Sequence, residues 1–165
     1  MAGARGGEAS IDIDAAPEAV YRLVADMSRM GEWSPECYRC EWIDGAEGPA
    51  LGARFRGRNH IGPVRWTTTG RVDVAEPGRE FSFSTEEREW PWLFFWSHKR
   101  REATRWRYRF DRSGTQTRLI ESYEPVWSPV WVRLADLFMP RTRQLSRGMH
   151  RTLERIKAVA ESDAA

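Results

Sequence analysis

A chain of 165 residues with a formal net charge of +2 is one domain's worth, and that charge is too small to imply a nucleic-acid partner. Its 9 Trp, 7 Phe and 4 Tyr are a heavy aromatic load of the kind that fills cores, ligand pockets and interfaces. Two cysteines and no signal peptide argue against a disulfide framework, and the longest apolar run, "WPWLFFW" (90–96), is too short to span a bilayer. A soluble, cytoplasmic protein is the expectation.

Residues 1–8 carry no periodicity and read as a loose terminus, ahead of a single domain over 9–162. "SIDIDA" alternates and predicts a first strand. Ala16-Pro17-Glu18 opens a helix, with proline near its first position and an acid in the first turn, where the helix dipole favours it. Val20, Leu23, Val24 and Met27 give that helix its apolar stripe. "SRMGEW" predicts a turn or a short second helix. Strand-like segments follow at 38–44, 53–60, 65–74, 80–87, 104–110 and 117–123, joined by turns such as "AEPG" and "DRSG" that predict antiparallel neighbours. From Pro129 the period becomes helical. Val130, Leu134, Leu137 and Phe138 form one stripe, and Leu145, Met149, Leu153 and Ile156 another, with Pro140 predicted to break or kink the helix between them.

Alternation sorts the strand faces. Trp106, Tyr108 and Phe110 oppose Arg105, Arg107 and Arg109. Phe81 and Phe83 oppose Glu80, Ser82 and Ser84, while Trp66, Val72 and Val74 oppose Arg65, Arg71 and Asp73. One sheet face is therefore aromatic and the other arginine-rich and wet. Such a sheet needs an apolar cover, and the terminal helix is the element long enough to supply it.

Element order and local patterns together resemble the START-like, or SRPBCC, superfamily, which includes polyketide cyclase/dehydrase and pollen-allergen-like proteins. The patterns are "IDIDAAPEAVYRLVADM", "MGEWSPE", "GARFRGRN", "TRWRYRFDRSGTQTRLIESYE" and "LSRGMHRTLERIKAVAE", and the likeness runs from about Ser10 to Glu161. The departure is residues 87–103, longer and more aromatic than the family's usual connection. The resemblance implies an α+β helix-grip fold, a curved antiparallel sheet of about seven strands wrapped around a long C-terminal helix, with a cavity for apolar ligands between them.

Catalytic and metal signatures are missing from the sequence: there is no G-x-S-x-G, H-E-x-x-H, P-loop or G-x-G-x-x-G. Cys37 and Cys40, three apart on a strand, are expected to point to opposite faces and to pack rather than to hold a metal or run redox chemistry. His60, His98 and His150 are scattered without ligand spacing, so neither metal nor cofactor is expected. Glu121 and Glu124 should also face opposite ways, each as a salt-bridge partner for arginines. Arg143, Arg147, Arg151 and Arg155 make a basic stripe that reads as a solvated face, and the 90–96 segment reads as cavity wall, the alternative being an exposed lid that docks transiently to a membrane or to a partner handing over ligand.

The expected function is non-enzymatic binding of a small hydrophobic molecule, a lipid, polyketide or aromatic metabolite. The candidate cavity lining is Trp33, Phe55, Asn59, Trp66, Thr68, Phe81, Phe83, Trp106, Tyr108, Phe110, Glu121 and Met149. No catalytic residue is assigned. The rival is a cyclase, aromatase or dehydratase drawing its acid and base from Tyr108, Tyr123, Glu121 or an inward arginine; a raised Glu121 pKa would favour it and a lowered one would favour scaffold. A protein-partner module with a closed cavity is the third reading.

Overall fold

The computed structural model describes residues 6–88, 100–126 and 141–164. The 90–96 segment, the first stripe of the terminal helix and Pro140 lie outside the described residues, as do the side chains of Arg143 and Leu145.

The chain order is β1 (Gly7–Ile13), α1 (Pro17–Ala25), a 3-10 turn (Met27–Arg29), α2 (Met30–Trp33), then β2 (Cys37–Ile43), β3 (Arg54–Ile61), β4 (Val64–Glu76), β5 (Glu80–Arg88), β6 (Arg100–Ser113), β7 (Gln116–Pro125) and α3 (Arg141–Ala164). β1 thus begins two residues inside the stretch expected to be loose. Seven strands form one antiparallel sheet in the order β1-β7-β6-β5-β4-β3-β2, the α+β helix-grip arrangement expected. β2 to β7 are successive hairpins, with tight turns at 62–63, 77–79 and 114–115. β1 closes the order by pairing with β7, Gly7 opposite Tyr123 and Ile13 opposite Thr117.

α3 buries Met149, Thr152, Leu153, Ile156 and Ala160, a stripe at three- and four-residue spacing, against the inner sheet face. Arg147, Arg151 and Arg155 are exposed. α1 adds Val20, Tyr21, Leu23 and Val24 to the same core. Asp26 ends α1 and caps the 3-10 turn, its carboxylate accepting from the Ser28 amide at 3.1 Å.

The outer face departs from the expected wet surface at its centre. Ser82 and Ser84 are buried because long charged neighbours close over them. Ser84 Oγ contacts Asp73 and lies 2.8 Å from Glu102 Oε1, Arg105 pairs with Glu102 at 2.8 Å, and Arg107 pairs with Glu80 at 3.0 Å. The face of β4 also changes partway. A bulge between Val72 and Val74 leaves Val72 opposite Phe83 but sets Ala75 opposite Phe81, so Ala75 packs against the core and Val74 falls opposite the outward Ser82. Val74 therefore does not share the face of Trp66 and Val72. One inner-face glycine is required by close approach. A Cβ on Gly70 would stand 2.2 Å from Phe55 Cζ, because the Phe55 ring lies over its cross-strand partner.

Candidate functional site

Glu121 lies in the middle of β7, between Ala9 of β1 and Tyr108 of β6. Its parity with Thr117, Leu119 and Tyr123 turns it inward, and it is 2% exposed. Tyr108 Oη donates to Glu121 Oε1 at 2.8 Å, while Oε2 has no hydrogen-bond partner among the described residues. Burial pushes the carboxyl up to about 8, the Tyr108 bond opposing part of that rise. The Tyr108 hydroxyl is held well above its ordinary value, first by burial and then by the Glu121 charge, so it stays protonated. At neutral pH Glu121 is consequently a largely neutral acid, able to donate as well as accept.

That corrects the salt bridge expected for Glu121. Arg105, Arg107 and Arg109 of the adjoining strand project from the opposite face, where Arg105 reaches Glu124 at 3.9 Å and Arg107 reaches Glu80. Among the described residues no arginine pairs with Glu121, whose bond is to Tyr108.

Around this pair the inner face is aromatic. Phe55 meets Phe83 edge-on at 5.1 Å, Phe83 meets Phe81 at 5.9 Å, Trp106 meets Tyr123 at 5.4 Å, and Phe110 meets Tyr21 at 5.5 Å. Trp33 of α2 and Met149 of α3 are buried in the same core cluster. Tyr21 was missed by sequence reasoning. Its position, three before Val24 and next to Val20, placed it at the edge of the α1 stripe, which is the signal that could have found it.

Asn59, Thr68 and Trp66 sit apart from Glu121. Strands β5 and β6 separate β4 from β7, so roughly 14 Å of sheet lies between the two polar groups. Asn59 Nδ2 donates to Thr68 Oγ1 at 3.2 Å and reaches the Gly57 carbonyl at 3.4 Å. These two side chains satisfy each other. Two open hollows lie on the surface, about 550 Å³ beside Gly78 and Arg112 and about 590 Å³ against residues 43–54; Phe110 is the single member of the expected lining that borders either.

The cysteines are a second correction. A bulge between Cys37 and Arg39 inserts one extra residue into β2, so Cys37 pairs opposite Asn59 and Cys40 opposite Gly57, both on the inner side. Both thiols are free and buried in the core cluster. The hydrogen bond from Cys40 holds the Cys37 thiol below its usual value, and that contact with burial pushes Cys40 up. Among the described residues no group of three or more His, Cys, Asp or Glu could hold a metal, and no helix is long and apolar enough to cross a membrane.

Residues 7–161 match the family described as polyketide cyclase / dehydrase and lipid transport. No curated protein matches. The solution structure of the Polyketide_cyc-like protein Cgl2372 from Corynebacterium glutamicum is 33% identical, with a TM-score of 0.61 over 96% of this chain and 93% of that one. The Zhui aromatase/cyclase from Streptomyces sp. R1128 is 14% identical, with a TM-score of 0.70 over 98% and 96% of the two chains, a likeness of fold. The same holds for the di-domain aromatase/cyclase StfQ of the steffimycin biosynthetic pathway, 16% identical with a TM-score of 0.71, where 96% of this chain covers 51% of that one. Sequence match and helix-grip geometry agree: the chain belongs to the polyketide cyclase/dehydrase and lipid transport family of START-like proteins.

Proposed function

We propose that the chain binds a small, mostly apolar molecule bearing a carbonyl or hydroxyl group, held between the aromatic sheet face and α3. The observation that carries this reading is Glu121: a buried carboxyl, neutral at pH 7, with one oxygen fixed by Tyr108 and the other unbonded within the described chain. A polar atom in that state is costly unless something completes its hydrogen bonding, and a ligand oxygen is the complement it calls for. The aromatic surroundings supply area for the apolar remainder. Native mass spectrometry of the gently purified chain, followed by addition of 2-naphthol, tests the reading. A stoichiometric apolar passenger, or one naphthol bound and weakened by Glu121→Gln, supports it. An empty chain that also ignores naphthol refutes it.

The raised carboxyl also favours an acid–base enzyme, because a carboxylic acid with a pKa near 8 can give a proton at neutral pH and take one back. In that reading Glu121 donates to a departing hydroxyl or a developing enol, while Tyr108 orients it. Conversion of a β-hydroxy ketone to its enone would then fall as pH rises through about 8. Glu121→Gln separates the readings: an enzyme loses turnover while still binding, whereas a carrier shows no turnover in either form.

A further inference from the structure

C-x-x-C on a regular strand splits its sulfurs between two faces, but the β2 bulge undoes that split. Cys37 and Cys40 become same-side neighbours, both buried, and the Cys37 thiol donates to the Arg39 carbonyl at 3.4 Å. Cys37 Sγ lies 3.4 Å from where a Cβ on Gly57 would be, and Gly57 is the residue directly opposite Cys40. The Cys37 sulfur therefore leans toward its partner, over a position whose missing side chain leaves room.

We propose that Cys37 and Cys40 form a two-sulfur site for a single soft, thiophilic d10 cation of the copper(I) class. Ligand number selects the ion. Zinc in a structural site takes four ligands, and among the described residues no third Cys, His, Asp or Glu joins the pair. Hard cations want oxygen, which leaves ions content with two thiolates. Spacing points the same way. Same-side neighbours on a strand sit about 6.6 Å apart, at the long end of the roughly 4.4–6.8 Å that a disulfide spans, and an ion placed between the sulfurs lengthens the bridge. Binding replaces both thiol protons with one monovalent ion, releasing two protons and leaving one net negative charge. Arg39, Arg56 and Arg58 on the opposite face of the same strands share one acid, Glu41, at 3.7–3.9 Å, and so supply a compensating positive field. β2 is an edge strand paired only with β3, with the 3-10 turn and α2 packed against it, so entry requires local opening of those two short elements.

The test is anaerobic titration of the full-length, reduced chain with copper(I) held by the chromophoric chelator bicinchoninate. One copper withdrawn per chain, with two sulfur neighbours by X-ray absorption, is the expected result. Cys37→Ser and Cys40→Ser should each weaken binding by roughly 100-fold. Failure to withdraw copper overturns the site, and so does wild-type affinity in either variant. Because a variant may fold poorly, the wild type carries its own control: bound copper must protect both cysteines from N-ethylmaleimide together. Protection of one alone overturns the proposal. Glu121 plays no part in any of these outcomes.

Discussion

Glu121 ionises from an ordinary value near 4.5 in the unfolded chain and about 8 in the folded one. Below 4.5 both states hold the proton and pH does not distinguish them. Between 4.5 and 8 the unfolded chain has lost a proton that the folded chain retains, so folded stability declines as pH rises, and the loss is complete above 8. The expected cost near pH 7 is about 3 kcal/mol. Glu121→Gln should remove that slope, so that urea melts of variant and wild type diverge in the variant's favour from pH 5 to pH 9. Equal slopes would mean that the carboxyl is solvated. Tyr108→Phe deletes the donor that holds the carboxyl down. The Glu121 titration, followed by carbon-13 NMR of a labelled side chain, should move upward, and the fold should lose about 1–2 kcal/mol. The inward direction of Glu121 was legible from parity with Leu119 and Tyr123. Its partner was not, since the pairing of β6 with β7 decides which residue lies across.

At the scale of elements, the alternation that could be read along the strands holds wherever a strand is regular. It holds for Phe81 and Phe83, for Trp106 to Phe110, and for Leu119 to Tyr123. It fails at bulges, where an extra residue shifts parity: between Cys37 and Arg39, and between Val72 and Val74. A bulge is a property of two strands in register, and neither strand's own sequence announces it. The burial of Ser82 and Ser84 was illegible for a similar reason, because arginines from a neighbouring strand close over them. Gly70 shows the same cross-strand logic in a testable form. Its neighbour's ring occupies the space of a side chain, so Gly70→Ala must displace Phe55 and, through it, the edge-on contact with Phe83. A loss of roughly 1–3 kcal/mol is expected in thermal melts, with little change if Phe55 is first replaced by a smaller residue.

For the molecule as a whole, α3 is the cover without which the inner face meets water. Met149, Leu153 and Ile156 share one buried cluster with Phe81, Tyr108 and Leu119, α3 packing on β1, β7 and α1 while α1 packs on β5 and β6. A chain ending before Arg141 should bind 1-anilinonaphthalene-8-sulfonate strongly and elute as aggregate in size-exclusion chromatography. A monomeric, dye-free product would show that the sheet finds another cover. The need for that cover was readable from the one-sided strands; which contacts α3 makes was not, since they depend on sheet curvature.

The pairing of β1 with β7 also sets a schedule. β1 sits at one end of the sheet, and its partner lies more than a hundred residues downstream, Gly7 against Tyr123. During synthesis the first strand must wait for nearly the whole sheet to emerge before it can find its place. The hairpins from β2 to β7 can assemble locally meanwhile, as neighbours in sequence are neighbours in the sheet. Completion therefore comes late and at once: the last hairpin supplies the edge that captures β1, and that capture adds the strand on which α3 docks. Until then Glu121 lacks the strand that closes over one side of it. The event that buries its carboxyl, and so gives it an unusual affinity for protons, is the joining of the sheet's first strand to its last.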